Sequence, residues 1–359
     1  MDYARRLASA TELLARHDVD ALLVTDLTNV RYLTGFSGTN GQVLVNRSGA
    51  TFFTDGRYEA RAASLVRDAD IVIYERRLND SLKPVIEKAG VRRLGVEAET
   101  MTIGTWQRLK NVLTKCDVVA TSDAVEGLRR TKDDVELERI REAVRVGDAT
   151  FAAALDAIVP GKSTEREVAL FIETELRRRG AEEPSFPPIV ASGPLSAHVH
   201  HTASDRVIEK SDLVVLDLGC KLDGYCSDLT RTIVVGPASD EQRELHAVVL
   251  QAQRAALASM RPGIGGKDVD AAARAIIDEA NTAGDFKHGL GHGVGLAVHE
   301  APRLHRLSDD VLAPRDVVTV EPGLYETGRD GLRIEDCVAV TTDGVEVLST
   351  APKDELIEL

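Results

Sequence analysis

The chain has few cysteines, no long apolar run and a deficit of positive charge, and each shortage excludes something. Cys116, Cys220, Cys226 and Cys337 show no CxxC spacing. Neither a disulfide framework nor a thiolate zinc site is expected, and all four read as reduced thiols. No apolar stretch approaches the roughly 18 residues of a membrane span. The opening "MDYARRLASATELLARHD" lacks the apolar core of a secretory signal, so a cytoplasmic protein is expected. Lys and Arg number 44 against 58 Asp and Glu, a formal charge of -14. That balance disfavours nucleic acid and anionic membrane surfaces as partners. The basic runs "RRTK" at 129–132 and "RRR" at 177–179 stand in helix-like, acid-containing stretches and read as solvated helix faces.

What remains is an ordinary globular composition, 43% hydrophobic and 28% charged over 359 residues, long enough for two domains. Up to residue 125, short apolar runs such as "DALLVTD", "GQVLVN", "DIVIYE" and "RRLGVEAE" alternate with helical patterns, which predicts an α/β domain built on a sheet. From 126 the pattern changes. A long helix is predicted around Val135, Leu137, Ile140, Val144 and Val146, with Pro160-Gly161 as a stop. Further helices follow, interleaved with the strand pairs "DLVVLDLGCKLDGYCSDLTRTIVVG" and "DVVTVEPGLYETGRDGLRIEDCVAV". Residues 126–359 are therefore expected to form an α+β domain, helices packed on a mostly antiparallel sheet.

Four carboxylates stand out in this second part. Asp-Gly inside "KLDGYC" is a hairpin turn signal, and pairing around it sets Asp217 and Asp228 on one face. A turn centred on Leu222-Asp223 makes them direct partners, and one centred on Asp223-Gly224 makes them diagonal neighbours, with Cβ atoms roughly 4.5 to 8 Å apart. Like charges so placed repel unless a cation lies between them; the alternative is that one points to solvent or is paired with Arg231. Glu321 and Glu335 likewise interrupt apolar strands.

The stretch "KHGLGHGVGLAVHE" at 287–300 adds histidines among four glycines in seven residues. His288 and His292 would share a helix face, but each glycine costs about 1 kcal/mol in a helix interior. An extended or looped segment is expected instead, its glycines admitting a ligand or another backbone. Four carboxylates and an imidazole are enough for two divalent ions sharing bridging carboxylates. Hard oxygen donors with one or two imidazoles favour Mn(II), Co(II) or a catalytic Zn(II) over structural zinc, and point to hydrolysis.

These motifs, "HGLGHGVGLAVHEAP", "DLG" with "GYCSDLTRT", "VEPGLY" and "GLRIED", closely resemble those of the metallopeptidase family with the pita-bread fold. That family comprises methionine aminopeptidases, Xaa-Pro dipeptidases and Xaa-Pro aminopeptidases. "NVRYLTGFSGTNGQVLV" and "TFFTDGRYEA" are similar to the creatinase-type N-terminal domain of the Xaa-Pro peptidases. Creatinase itself lacks the metal-ligand set, so its activity is not expected here.

The resemblance implies a creatinase-like α/β domain over 1–125 and a pita-bread catalytic domain over 126–359. It implies Asp217, Asp228, His292, Glu321 and Glu335 as ligands of two divalent ions, Asp228 and Glu335 bridging, with Mn(II) foremost and Co(II) or Zn(II) as alternatives. Glu321 would also act as the base, and His200 and His299 would stabilise the oxyanion. His288 and Arg333 would serve at the substrate, a supporting network being the other reading for His288. Leu195 and Val199 stand where relatives carry Asn and Pro, and His198 is additional, so His201 is the alternative to His200. The implied substrates are short proline-containing peptides, and the implied assembly is a homodimer. A non-catalytic scaffold of the same fold would be expected to have lost ligands, whereas all five positions are filled.

Overall fold

A run such as "ALLV" at 21–24, apolar at every position and followed by the turn-like "TD", fits a strand buried on both faces. In the computed structural model, which describes residues 1–280 and 285–359, Ala21–Val24 is the wholly buried inner strand of a six-stranded sheet. It pairs antiparallel with Gln42–Asn46 and parallel with Arg93–Glu97. Gly49–Asp55, Asp70–Tyr74 and Asp117–Thr121 complete this mixed sheet, as expected for the α/β part.

The chain divides into two compact units, Met1–Arg129 and Arg130–Leu359. The division falls after the short helix Ala124–Arg129 rather than at 125/126. Hydrogen bonds tie that helix to the first unit. Tyr32 Oη donates to the Leu128 carbonyl at 3.0 Å, and Arg129 Nη1 to Asn29 Oδ1 at 2.8 Å.

The run "RRTK" is not a solvated helix face. Only Arg129 is helical; Arg130 pairs with Asp316 at 3.0 Å, and Lys132, 1% exposed, donates to Glu300 Oε1 at 2.7 Å. Acids contributed by residues more than 160 positions away neutralise it, a partnership no local pattern records. "RRR", by contrast, ends the helix Glu165–Arg178 in solvent.

In the second unit the long helix runs over Asp134–Leu155, opened by a capping box between Asp133 and Glu136. The helices Glu165–Arg178 and Asp240–Ser259 start with the same device, Thr164 with Glu167 and Ser239 with Gln242. Among the described residues four sheets accompany them, and two of these are the larger. The first orders Ile357–Glu358, Leu229–Val234, Leu213–Leu218 and Ile189–Ser192, and the second orders Glu300–Leu304, Gly291–Gly293, Val317–Val320, Asp336–Val340 and Val345–Val347. Apart from the parallel pair formed by Ile357–Glu358, both are antiparallel, so the α+β expectation describes this unit.

Two apolar cores pack against these two larger sheets. Phe151, Ile172 and Leu176 pack with Val214 and Leu216, while Val249, Ala256 and Ile277 pack with Val318 and Val338. Among the described residues, no helix is long and apolar enough to cross a membrane.

The hairpin turn lies at Asp223-Gly224, where φ is 50° and 89°. Two consecutive positive φ values suit the right-handed twist of the flanking strands. Leu222 therefore pairs with Tyr225 and Asp217 with Thr230, which leaves Asp228 the diagonal neighbour of Asp217.

Candidate metal centre

All five acid and imidazole positions arrive at strand termini or within a three-residue strand. Asp217 is the penultimate residue of Leu213–Leu218, and Asp228 immediately precedes Leu229–Val234. Glu321 follows Val317–Val320, Glu335 precedes Asp336–Val340, and His292 is the middle of Gly291–Gly293. The two sheets meet where the Glu335 amide donates to the Thr230 carbonyl at 3.0 Å and Thr230 Oγ1 donates to Glu335 Oε2 at 2.7 Å. This junction brings residues from both hairpins to one cavity of about 1090 Å³.

Asp228, His292 and Glu335 offer one ligand atom each, all within 4.8 Å of one another. Glu321 Oε1 lies 3.4 Å and Asp228 Oδ2 3.7 Å from His292 Nε2. Asp217 joins through Oδ2, which accepts from Arg333 Nη2 at 2.6 Å. Its other oxygen, Oδ1, is buried without a hydrogen-bond partner. A buried anionic oxygen left unpaired is costly, and a cation beside it removes the cost. The donor set, four carboxylates and one imidazole, therefore fits a divalent ion pair. Arg231 does not neutralise these acids; it is bound to Asp336 at 2.7 Å and to backbone carbonyls.

The electrostatics point the same way. Burial, reinforced by Glu335, Asp217 and Glu321, raises the Asp228 carboxyl well above its ordinary value. Burial together with Glu321 and Asp217 does the same to Glu335. Glu321 is pushed up to about 7, chiefly by burial. His292 is pushed down to about 3 by burial and by His299, so its imidazole is neutral. Its Nδ1 faces the Gly293 carbonyl at 3.1 Å and must carry the proton, which leaves the Nε2 lone pair toward the acids.

A stability prediction follows for the metal-free protein. Below about pH 4.5, the ordinary Glu value, folded and unfolded chains both hold the Glu321 proton; between there and about 7 only the folded chain retains it. The folded state thus loses stability as pH rises through that window, and the penalty is complete above it. Metal-stripped wild type and Glu321→Gln are expected to have similar Tm near pH 5, with the wild type falling below the variant by pH 7.5. Parallel Tm curves across this range would contradict the assignment.

The remaining site candidates separate into two kinds. His288 is engaged at both nitrogens, Nδ1 at 2.8 Å from the Gly289 carbonyl and Nε2 at 2.9 Å from Tyr325 Oη. Burial, with Arg333 nearby, lowers its pKa to about 3, so the ring holds one proton. A carbonyl only accepts, so that proton is on Nδ1 and Tyr325 donates to Nε2. Arg333 in turn donates to Tyr325 Oη at 2.8 Å, to Thr230 Oγ1 at 3.0 Å and to Asp217. His288 and Arg333 thus belong to a network inside the protein.

His299 and His200 are exposed and border the cavity, and neither makes a side-chain hydrogen bond among the described residues. The His299 ring stands 4.3 Å from that of His292 at 75°. His201 also borders the cavity, but its Nε2 is 2.8 Å from Glu165 Oε2, a wholly buried carboxylate that also accepts from Ser192 and Ser204. Of the two alternatives in "HVHH", His200 is the one left with both ring nitrogens available.

Thr230, Thr319 and Tyr325 were not singled out by sequence reasoning. Thr319 Oγ1 donates to Glu321 Oε1 at 3.0 Å and accepts from the His292 amide at 3.1 Å. Thr230 and Tyr325 lie inside the quoted motifs "DLTRT" and "EPGLY", so the signal was present beside the acids. Of the two uses expected of the glycines at 289–295, close approach of a ligand or of another backbone, Gly291 and Gly293 take the second. A Cβ at Gly291 would meet the Thr319 carbonyl at 2.0 Å, and one at Gly293 the Ala301 carbonyl at 2.2 Å. Their bareness admits neighbouring backbone, and through it the tight sheet that carries His292.

Comparison with known proteins matches residues 138–342 to metallopeptidase family M24 and residues 6–131 to the creatinase/prolidase N-terminal domain. An Xaa-Pro dipeptidase of Pyrococcus horikoshii is 36% identical over 344 residues, covering 96% of both chains. The solved structure of an Xaa-Pro dipeptidase from Bacillus anthracis superposes with a TM-score of 0.96 at 39% identity, covering 99% of this chain and 100% of that one. An X-Pro aminopeptidase from Thermotoga maritima superposes with a TM-score of 0.90 at 33% identity, covering 96% and 99%.

Proposed function

The chain belongs to metallopeptidase family M24, a creatinase-type N-terminal domain followed by a pita-bread catalytic domain, and from that premise we propose that it hydrolyses the Xaa-Pro bond of dipeptides or of short peptides at their N-terminus. The observation that carries this reading is the buried Asp228, His292 and Glu335 group, with Asp217 and Glu321 bordering the same cavity, in a chain similar to two kinds of Xaa-Pro peptidase.

Asp217, Asp228, His292, Glu321 and Glu335 would hold two divalent ions, Mn(II) foremost. Bound there, such ions act as Lewis acids and make hydroxide available from water near neutral pH. Glu321 accepts the proton of the attacking water and returns one to the proline nitrogen. Held by Thr319, its carboxylate is oriented for that transfer. His299 and His200, each with ring nitrogens free of protein partners, donate to the oxyanion. Phe186, Pro187, Ile189 and Val199 give the cavity an apolar border suited to a pyrrolidine ring.

The test is product analysis with metal-stripped protein reconstituted with Mn(II), comparing Ala-Pro with Ala-Pro-Ala. Release of alanine from the tripeptide assigns aminopeptidase activity, and cleavage of the dipeptide alone assigns dipeptidase activity. No alanine from either peptide, with metal bound, overturns the proposal.

A further inference from the structure

Lys132, buried in the run that follows the first unit, has no part in the chemistry just described, yet it is built into the loop that carries His299. Lys132 donates from Nζ to the Arg130 carbonyl at 2.9 Å and to Glu300 Oε1 at 2.7 Å. Its own backbone is fixed too. The Lys132 amide donates to the Arg315 carbonyl at 3.0 Å, and Thr131 bridges Asp316. An ammonium with no solvent contact persists only beside a compensating charge.

Glu300 ends a closed loop. Gly293 and Glu300 pair across the sheet, with a bulge between His292 and Gly293, so residues 293–300 leave and return at one point. Within the loop the Glu300 carboxylate lies flat against bare backbone. A Cβ on Gly295 would stand 2.2 Å from Oε1, and the Ala297 amide is 3.5 Å from Oε2. The carboxylate therefore holds both the middle and the end of the loop, and Lys132 sets its orientation. His299 is the residue before Glu300, and its ring meets that of His292 nearly edge-on.

We propose that Lys132, through its buried ion pair with Glu300, is a positioning residue that fixes His299 over the metal centre. The inference rests on the hydrolytic role given to His299 above. Misplacing a catalytic group by about 1 Å can cost on the order of 10²-fold in rate.

Lys132→Met alone strands the Glu300 carboxylate, so the informative variant is Lys132→Met/Glu300→Gln, which removes both charges and keeps the shape. With Mn(II) loaded, it is expected to lower kcat by roughly 10- to 10²-fold, with KM and metal content little changed. Introduced into His299→Asn, the same pair of changes should cost no further kcat. In the full chain with labelled histidine, the NMR resonance of the His299 ring should shift relative to wild type. An equal loss of kcat in both backgrounds, or an unmoved His299 resonance, overturns the inference. Should His299→Asn alone leave turnover intact, the hydrolytic role of His299 fails instead. The resonance then still reads whether Lys132 orients the ring.

Discussion

Glu335→Ala or Asp228→Ala is expected to abolish metal binding and peptide turnover together. Both carboxylates are almost fully buried, and their atoms lie within 4.8 Å of one another and of a His292 nitrogen. A metal acting as Lewis acid contributes several kcal/mol to transition-state stabilisation. At about 1.4 kcal/mol per tenfold, its loss lowers turnover by on the order of 10³-fold or more. The metal-free fold should tolerate the change, because Asp228 and Glu335 are under like-charge repulsion that deleting one relieves. Metal analysis of the purified variant, beside its circular dichroism spectrum and rate on Ala-Pro, checks the result. A folded variant that retains both metal and full activity would remove these residues from the centre.

Glu321→Gln is expected to separate metal binding from chemistry. The amide keeps an oxygen where the carboxylate had two, and it keeps the Thr319 hydroxyl as partner for that oxygen. What it cannot do is accept a proton. Removing a positioned general base costs typically 10²- to 10⁴-fold, and the loss should fall on kcat while bound metal is largely retained. Burial raises the Glu321 carboxyl to about 7 in the metal-free chain, and divalent ions beside it would draw it down again, toward the ionised form that accepts a proton. Activity within a few fold of wild type would reassign the base to another group at the centre. Equal loss of metal and activity would make Glu321 a ligand only.

How much of this was legible before folding depends on how far each determinant reaches along the chain. The hairpin around Asp223-Gly224 is a local event, since two adjacent residues adopt positive φ and thereby set the register of Asp217 and Asp228. Capping boxes at Asp133, Thr164 and Ser239 are equally local and start three helices where the apolar spacing begins. Acids interrupting apolar strands were visible for the same reason: a carboxylate in an otherwise buried strand needs a partner that its neighbours do not supply.

The tertiary structure decided everything that depends on a partner far away in sequence. Thr230 and Glu335 are 105 residues apart, and their contact joins the two hairpins into one centre. Lys132 and Glu300 are separated by 168 residues, so a lysine in a run that reads locally as a solvated helix face is buried in an ion pair. For His288 a substrate contact and a supporting network were both open from the sequence, and Tyr325, 37 residues on, stands at its second nitrogen. Among the histidines of "HVHH", only the distant Glu165 distinguishes His201 from His200. Strand, turn and cap propensities act over a few residues, and so the sequence determined the elements and the chemical types at the site. Which of those groups face each other, and which remain free for a substrate, is set by packing between elements, where burial makes each unpaired charge costly and so selects one arrangement.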